Sequence, residues 1–262
     1  MHFTKFEGVR IGYRKEGSGP AIVLIHGTGG DGAGNWGGVT EDLSQGFTVI
    51  RPDYTGSGDT EDDGRVLSVE HFAEQVLAAV EDAEVDSFAL VGFSLGAAVA
   101  ARIAADHADR VTDLILISGF TKPDPRLKLQ FELWRDLIAS DRAAMARIVF
   151  LTGFSPDVLS SWGFEGVEQA VRDTMETQNW AGMARQVEVD LGLDVSDTTA
   201  KVKSPTLVIG GRHDHMVPPS HSKALAALIR NASYVELPTG HLAPMERPDL
   251  VASEIRSFLN KF

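Results

Sequence analysis

The chain has 262 residues, enough for one large α/β domain with or without an insertion, and too few for two ordinary domains with much to spare. Its formal net charge of −13 argues against a non-specific nucleic-acid partner and an anionic membrane surface, because both require a basic face on the protein. The absence of cysteine excludes disulfides, a thiolate metal site and a cysteine nucleophile.

The first predicted elements are strands. Apolar residues alternate loosely between positions 3 and 15 around Glu7-Gly8, which predicts a two-stranded hairpin. After a Gly/Pro turn, residues 21–25 (AIVLI) form a continuous apolar run, as expected of a strand buried on both faces. A short helix is predicted over 36–43 and another strand over 47–50.

The loop at 26–34 contains five glycines, which indicates backbone that bends tightly or approaches a ligand closely. It directly follows a buried strand in the first half of an α/β pattern, where active-site loops cluster. We therefore expect the loop to donate one backbone N–H, that of Thr28, to an oxyanion. His26 is interpreted as a structural histidine that supports the loop through hydrogen bonds of its ring.

A long polar turn covers residues 51–60. Ser57 lies between glycines in this turn, but it lacks a flanking strand and helix, so we predict only a turn residue there. The next helix is predicted to begin at the N-cap Ser68. Its buried face consists of residues at helical spacing: Phe72, Val76, Leu77 and Val80.

The pattern Gly-x-Ser-x-Gly at 92–96 is the centre of the sequence. A buried strand is predicted over 88–91 and an alanine-rich helix over 97–105, so Ser94 lies on a sharp turn between strand and helix. This context exposes the serine Oγ at the top of a sheet and at a helix N-terminus, where developing negative charge is favoured. The backbone N–H of Leu95 is the expected second oxyanion donor.

From position 120 to 203 no strand-like run appears, and helical stretches are broken by proline and glycine. We predict a helical segment that covers Ser94, and we call residues 120–203 the cap segment. Three of the four tryptophans lie in it. Most of its aromatic residues are expected to form the cores of these helices. Five are candidates for an apolar substrate pocket: Phe131, Trp134, Phe154, Trp162 and Trp180.

Two further buried strands are predicted over 204–210 and 232–237, each followed by a polar residue suited to catalysis. Asp214 follows the first strand and His241 the second, before a closing helix over 248–262. Strand ends of a parallel sheet face one crevice, so Ser94, Asp214 and His241 should meet there. Serine needs a histidine base, and histidine needs a carboxylate that fixes its tautomer.

Four motifs in this order resemble the α/β-hydrolase family: His26-Gly27 with its glycine loop, Gly-x-Ser-x-Gly at 92–96, Gly-Arg-His-Asp at 211–214, and Gly240-His241. The resemblance implies a mostly parallel central sheet flanked by helices. The core would comprise 1–119 and 204–262, and 120–203 would be the family's helical cap insertion. Ser94 would be the nucleophile, His241 the base, Asp214 the acid, and Thr28 and Leu95 the oxyanion donors.

The sequence departs from the family pattern in two places. Thr55 stands where many relatives have arginine, which puts that arginine's role in shaping the loop in doubt. Ala97 follows Gly96 where glycine is frequent. The nucleophile position is serine rather than aspartate, which makes epoxide opening and dehalogenation unexpected.

No metal or organic cofactor is expected. His213 and His215 flank Asp214, but two such histidines without a third ligand indicate a metal site only weakly. No phosphate loop or dinucleotide fingerprint is present in a suitable context. No secretory signal and no run of membrane-spanning length is visible, so a cytoplasmic location without a membrane partner is the expectation.

The leading prediction is a serine hydrolase that cleaves a carboxylic ester, lactone or thioester with an apolar acyl or aromatic group. The same site could instead hydrolyse a carbon–carbon bond or carry out cofactor-free perhydrolysis. In a different functional class, the fold could serve as a small-molecule receptor with little turnover. The oligomeric state is left open.

Overall fold

The computed structural model describes residues 1–260, and its centre is an eight-stranded sheet. The last two positions of the predicted closing helix, 261 and 262, lie outside the described residues. The strands are β1 (His2–Phe6), β2 (Val9–Gly17), β3 (Ala21–Ile25), β4 (Thr48–Pro52), β5 (Phe88–Phe93), β6 (Val111–Ile117), β7 (Thr206–Gly211) and β8 (Ala232–Leu237).

The sheet order is β1-β2-β4-β3-β5-β6-β7-β8. Strand β2 pairs antiparallel with both β1 and β4, whereas all pairs from β4 to β8 are parallel. The predicted hairpin is confirmed, and its two turn residues, Glu7 and Gly8, both have positive φ. Two positive φ angles match the twist of the flanking strands, as in type I′ turns.

Helices cover both faces of this sheet, as the continuously apolar strands require. Outside the cap segment they are α1 (Gly37–Leu43), α2 (Val69–Asp82), α3 (Leu95–Asp106), α9 (Pro219–Leu228), α10 (Ala243–Glu246) and α11 (Pro248–Leu259). Helices α1 and α11 bury one apolar layer against the sheet. Helices α2, α3 and α9 contribute to the layer on the other face. The chain thus has the mostly parallel, helix-flanked α/β-hydrolase architecture that the sequence predicts.

The cap segment contains helices and no strand. They are α4 (Pro125–Ser140), α5 (Arg142–Gly153), α6 (Pro156–Thr177), α7 (Trp180–Gly192) and α8 (Ser196–Thr199). Side-chain caps start three of them: Asp124, Asp141 and Asn179 each accept a first-turn backbone N–H. No helix within residues 1–260 is both long and apolar enough to cross a membrane.

The strand order reverses at β3, and this reversal creates the crevice. Strand β3 lies between β4, which follows it in the chain, and β5, which comes after β4. The connections leaving β3 and β5 therefore run to opposite sides and leave a gap above their carboxyl ends. The glycine loop follows β3 and Ser94 follows β5, so both border this gap.

Helix α7 approaches the loop after β4 so closely that only glycine fits. A β-carbon at Gly182 would overlap the backbone of Gly56, including its carbonyl oxygen. The Asn179 Nδ2 group donates to that same carbonyl oxygen at 3.2 Å. This backbone contact fixes the height of α7 above the crevice.

We expect Gly182→Ala to lower the free energy of unfolding by about 1–3 kcal/mol, because neither backbone can yield without disturbing the packing. Gly192→Ala is the matched control in the same helix, since nothing lies within 4 Å of a β-carbon there. Its unfolding free energy should stay unchanged or rise by up to about 1 kcal/mol. Urea denaturation followed by circular dichroism measures both values, and equal losses would contradict close docking of α7.

Candidate active site

Ser94 lies on the strained turn that the sequence predicts. Its φ of 55° and ψ of −120° are unfavourable for a residue with a side chain, and its N–H donates to the Ile117 carbonyl at 2.9 Å. Gly92 and Gly96 permit the turn, because a β-carbon at Gly92 would overlap the Gly96 carbonyl and one at Gly96 the His26 carbonyl. The turn therefore holds Oγ above the end of β5.

Asp214 is held rigidly in the loop after β7. Its Oδ1 accepts the backbone N–H groups of Met216 at 2.9 Å and Val217 at 2.7 Å. This leaves Oδ2 facing His241, at 2.8 Å from its Nδ1. The Asp214 side chain is only 1% exposed, so its orientation is set by these partners rather than by water.

His241 joins the other two residues. Its Nε2 lies 3.0 Å from Ser94 Oγ, and the side chain is almost fully buried. Because a carboxylate only accepts, Nδ1 carries the proton and Nε2 can accept from the serine hydroxyl. The structure thus brings together Ser94, His241 and Asp214 in one hydrogen-bonded chain.

The loop that carries His241 is tied to the end of α5. The Glu246 carboxylate accepts the backbone N–H groups of Gly240 and Ser155, each at 3.0 Å. Leu242 N–H donates to the Gly153 carbonyl at 2.9 Å. One carboxylate therefore bridges the histidine loop and the cap segment.

In the glycine loop, the Thr28 N–H has no intramolecular partner among the hydrogen bonds of residues 1–260. Its neighbours are both engaged: Gly27 N–H donates to Asn35 Oδ1 at 3.0 Å and Gly29 N–H to Gln186 Oε1 at 2.8 Å. Leu95 is the first residue of α3, so its N–H has no acceptor within the helix. Two free donors thus lie in the segments that follow β3 and β5.

His26 orients the Thr28 N–H by binding the carbonyl of the peptide that joins Gly27 to Thr28. Its Nδ1 donates to the Gly27 carbonyl at 2.9 Å, and Gly30 N–H donates to the same oxygen at 3.1 Å. Because a trans peptide is planar, fixing that carbonyl points the Thr28 N–H in the opposite direction. Burial lowers the pKa of His26, which favours the neutral ring. Its role is structural, as expected from the sequence.

Thr55, which replaces the usual arginine, is held by two glutamines. Gln75 exchanges two hydrogen bonds with it, accepting from Thr55 N–H at 2.8 Å and donating to Thr55 Oγ1 at 2.7 Å. Gln186 Nε2 donates to the Thr55 carbonyl at 3.2 Å and to Ser57 Oγ at 2.9 Å. Buried amides thus fix this turn without an arginine, and no local sequence signal indicates them.

Asp190 is a buried carboxyl group that no motif or spacing in the sequence identifies. Its Oδ2 accepts from Thr28 Oγ1 at 2.6 Å, while Oδ1 has no hydrogen-bond partner. Burial raises the pKa of Asp190 from 3.8 to about 7, and the Thr28 hydrogen bond only partly opposes this. The carboxyl is therefore largely protonated in mildly acidic solution.

Ser94 and His241 open onto a cavity of about 150 Å³ with mostly apolar walls. Cavities of that volume hold a molecule about the size of benzene. Three of the five aromatic candidates line it: Phe131, Trp134 and Trp180. The lining does not include Phe154 or Trp162.

Phe154 and Trp162 lie one layer behind the cavity wall. Their rings pack against each other at 4.8 Å, and both contact the ring of Phe150, at 5.9 Å and 6.1 Å respectively. Phe150 itself lines the cavity. Periodicity identifies these aromatic residues as apolar, but it does not say which layer of the cap segment each one occupies.

The histidines beside Asp214 do not form a metal centre in the described part of the chain. Within residues 1–260, no three His, Cys, Asp or Glu side chains are grouped so that they could hold an ion. The His215 backbone instead contributes to loop packing, since its N–H donates to the Thr152 carbonyl at 3.2 Å.

The chain is similar to known proteins over nearly its whole length. Residues 20–248 match the family described as alpha/beta hydrolase fold. The chain is 50% identical over 260 residues to pyrrolizixenacetamide deacetylase of Xenorhabdus hominickii, which covers 99% of this chain and 98% of the relative.

Solved structures agree with this similarity. The enol-lactonase from Burkholderia xenovorans LB400 matches with a TM-score of 0.88 and 26% identity, covering 99% of this chain and 100% of that one. A thermophilic esterase from Thermogutta terrifontis matches with a TM-score of 0.85 and 26% identity, covering 99% and 96% respectively.

The raised pKa of Asp190 predicts a pH-dependent stability difference. The native state retains this proton between the ordinary carboxyl pKa and about 7, whereas the unfolded state releases it. The stabilising effect of protonation is therefore complete at low pH and is lost as pH rises through about 7. Asp190→Asn removes the titration and keeps an acceptor for Thr28.

We expect Asp190→Asn to gain stability relative to the native protein by roughly 2–3 kcal/mol as pH rises from about 5 to about 8. Urea denaturation at several pH values measures this difference. Asp173→Asn, at an exposed position of α6, is the control and should show no comparable trend. A pH-independent difference for Asp190→Asn would mean that Asp190 titrates normally.

Proposed function

The chain belongs to the α/β-hydrolase family, and we propose that, as a hydrolase of this family, it cleaves a carboxylic acyl bond through an acyl-enzyme on Ser94. The observation that carries this proposal is the hydrogen-bonded chain from Ser94 through His241 to Asp214, at 3.0 Å and 2.8 Å. These three residues form the proposed catalytic triad. The two unpartnered N–H donors beside Ser94 support acyl transfer in particular.

In the first step, His241 Nε2 takes the proton of Ser94 Oγ as this oxygen attacks the substrate carbonyl. A new carbon–oxygen bond forms, and the carbonyl π electrons move onto oxygen. The resulting oxyanion lies between the N–H groups of Thr28 and Leu95. These donors are held in place before reaction, so they stabilise the charge without reorganising.

The tetrahedral intermediate then collapses. The bond to the leaving group breaks as His241 returns the proton to the departing oxygen, sulfur or nitrogen, which leaves the acyl group on Ser94. Water attacks this acyl-enzyme, with His241 again as base, and releases the carboxylic acid and free serine. Asp214 keeps the imidazole in the required tautomer and stabilises the imidazolium formed in both steps.

An acetylated, mainly apolar small molecule is the proposed substrate class. A relative that is 50% identical over 260 residues is named as a deacetylase of an acetamide, so amide bonds join the esters and thioesters expected from the sequence. The cavity of about 150 Å³ and its aromatic walls favour a short acyl group and an apolar remainder of limited size.

Lactone opening is the second candidate function. It is favoured by the match to an enol-lactonase along the whole of both chains at 26% identity. The chemistry differs only in that the ring opens and the leaving oxygen, as a hydroxyl, stays bonded to the carbon chain of the acyl group. The same triad and donors would serve both substrates.

We predict that the native protein hydrolyses 4-nitrophenyl acetate faster than 4-nitrophenyl decanoate, because the small cavity cannot enclose the long chain. It should also cleave 4-nitroacetanilide, the corresponding amide. Ser94→Ala should lower kcat for the acetate ester by at least about 10³-fold, because it removes the nucleophile. Release of nitrophenol or nitroaniline measures these rates.

Ser161→Ala, on the exposed surface of α6, is the control serine and should retain native rates. Equal activity of Ser94→Ala and the native protein would refute the acyl-enzyme. Tight ligand binding by a native protein that turns over none of these substrates, nor a simple lactone, would favour the receptor function instead.

A further inference from the structure

Three side chains of the cap segment form hydrogen bonds to the loop that carries the proposed oxyanion donor Thr28. Gln186 Oε1 accepts from Gly29 N–H at 2.8 Å, and Gln178 Nε2 donates to the carbonyl of the same residue at 2.9 Å. Asp190 accepts from Thr28 Oγ1 at 2.6 Å. The cap segment thus forms hydrogen bonds with the backbone N–H and carbonyl of Gly29 and with the hydroxyl of Thr28.

Two of these side chains come from one face of α7. Gln186 and Asp190 are four residues apart, so they lie one above the other on the helix. Gln186 is fully buried and Asp190 is 1% exposed. Burying such polar groups costs free energy unless they are hydrogen-bonded. A contact that served only to pack α7 against the loop would therefore use apolar side chains.

Both the oxygen and the nitrogen of the Gln186 amide form hydrogen bonds, and these bonds connect two loops. While Oε1 accepts from the glycine loop, Nε2 donates to the Thr55 carbonyl and to Ser57 Oγ in the turn after β4. Without Gln186, Gly29 N–H would lose its acceptor and the peptide after Thr28 would be free to rotate. Such rotation would also move Thr28.

We propose that Gln186 and Asp190 are positioning residues that hold Thr28 so that its N–H faces the reacting oxygen, which makes the oxyanion hole depend on α7. The inference rests on the proposed function. Gln186 fixes the peptide on the C-terminal side of Thr28, and Asp190 fixes its side chain. Asn35 Oδ1 accepts the Gly27 N–H. The residues before and after Thr28 are therefore both held by side-chain hydrogen bonds.

The proposal predicts an effect on transition-state stabilisation with little effect on substrate binding. Removing one oxyanion donor typically costs about 10²–10³ in kcat, and misplacing it should cost part of that factor. We expect Gln186→Met, which keeps the length of the side chain but none of its three hydrogen bonds, to lower kcat for 4-nitrophenyl acetate by about 10–100-fold. KM should change by less than about threefold, because the cavity walls are preserved.

Asp190 provides an independent pair of variants. Asp190→Asn keeps an acceptor for Thr28 Oγ1 and should retain kcat within about threefold, whereas Asp190→Leu removes the acceptor and should lower kcat as Gln186→Met does. Val187→Ala is the control for a loosened helix, because Val187 is a fully buried α7 residue in the apolar layer and makes no hydrogen bond to the loop through its side chain. It should lose stability but keep native kcat.

A second readout does not need turnover. Phenylboronic acid forms a tetrahedral adduct with an activated serine, and one boronate oxygen occupies the oxyanion position. Its affinity, measured by fluorescence titration with Ser94→Ala as background, should fall in Gln186→Met and Asp190→Leu by a factor similar to that in kcat. It should be unchanged in Asp190→Asn and Val187→Ala.

The outcomes separate the inference from the proposed function. If the native protein binds phenylboronic acid through Ser94 but hydrolyses no acyl substrate, the proposed function fails and the boronate affinities alone decide the inference. The inference is overturned if the variants change KM alone, if Val187→Ala loses as much kcat as Gln186→Met at equal stability, or if the native protein neither hydrolyses nor binds the boronate.

Discussion

The 3.0 Å contact between His241 Nε2 and Ser94 Oγ depends on the order of strands in the sheet and on the strained turn at Ser94. The two residues are 147 positions apart in the chain. They meet because β5 and β8 belong to one sheet and their carboxyl ends lie at the same edge. The contact also requires the strained turn at Ser94, which is possible only because Gly92 and Gly96 lack side chains.

The core alone does not fix the loops around this contact, because the cap segment holds several of them. Arg126 and Gln130 of α4 both donate to the Met216 carbonyl, at 3.1 Å and 3.2 Å, and so restrain the loop that carries Asp214. The end of α5 holds the His241 loop, and α7 holds the glycine loop. The cap segment therefore lines the cavity and also restrains the loops that shape it.

Much of this arrangement could be predicted because its signals are local. Continuous apolar runs identify buried strands, and the pattern at 92–96 implies a strand, a turn and a helix in fixed succession. Ser94, Asp214 and His241 each follow such a strand, so their meeting follows from the rules of a parallel sheet. Helix α9 was not predicted: only Ser222 and Leu225 are buried in it, which gives too short an apolar stripe to recognise.

The remaining features depend on contacts between distant parts of the chain. Gln186 hydrogen-bonds to Gly29 across 157 positions, and nothing near Gln186 distinguishes it from a solvent-exposed glutamine. The same holds for Asp190, whose partner Thr28 is 162 positions away. Likewise, the layer that Trp162 occupies is set by how α5 and α6 pack, which periodicity within one helix does not determine.

The most direct test of the proposed acyl-enzyme on Ser94 is to identify the acylated residue. The native protein would be mixed with 4-nitrophenyl acetate, quenched in acid within milliseconds and analysed by peptide mass spectrometry. We predict an acetyl group on the peptide that contains Ser94, formed at the rate of the nitrophenol burst and lost as turnover proceeds. An acetyl group on another residue at that rate, or turnover with no acetylated peptide at any time, would contradict an acyl-enzyme on Ser94.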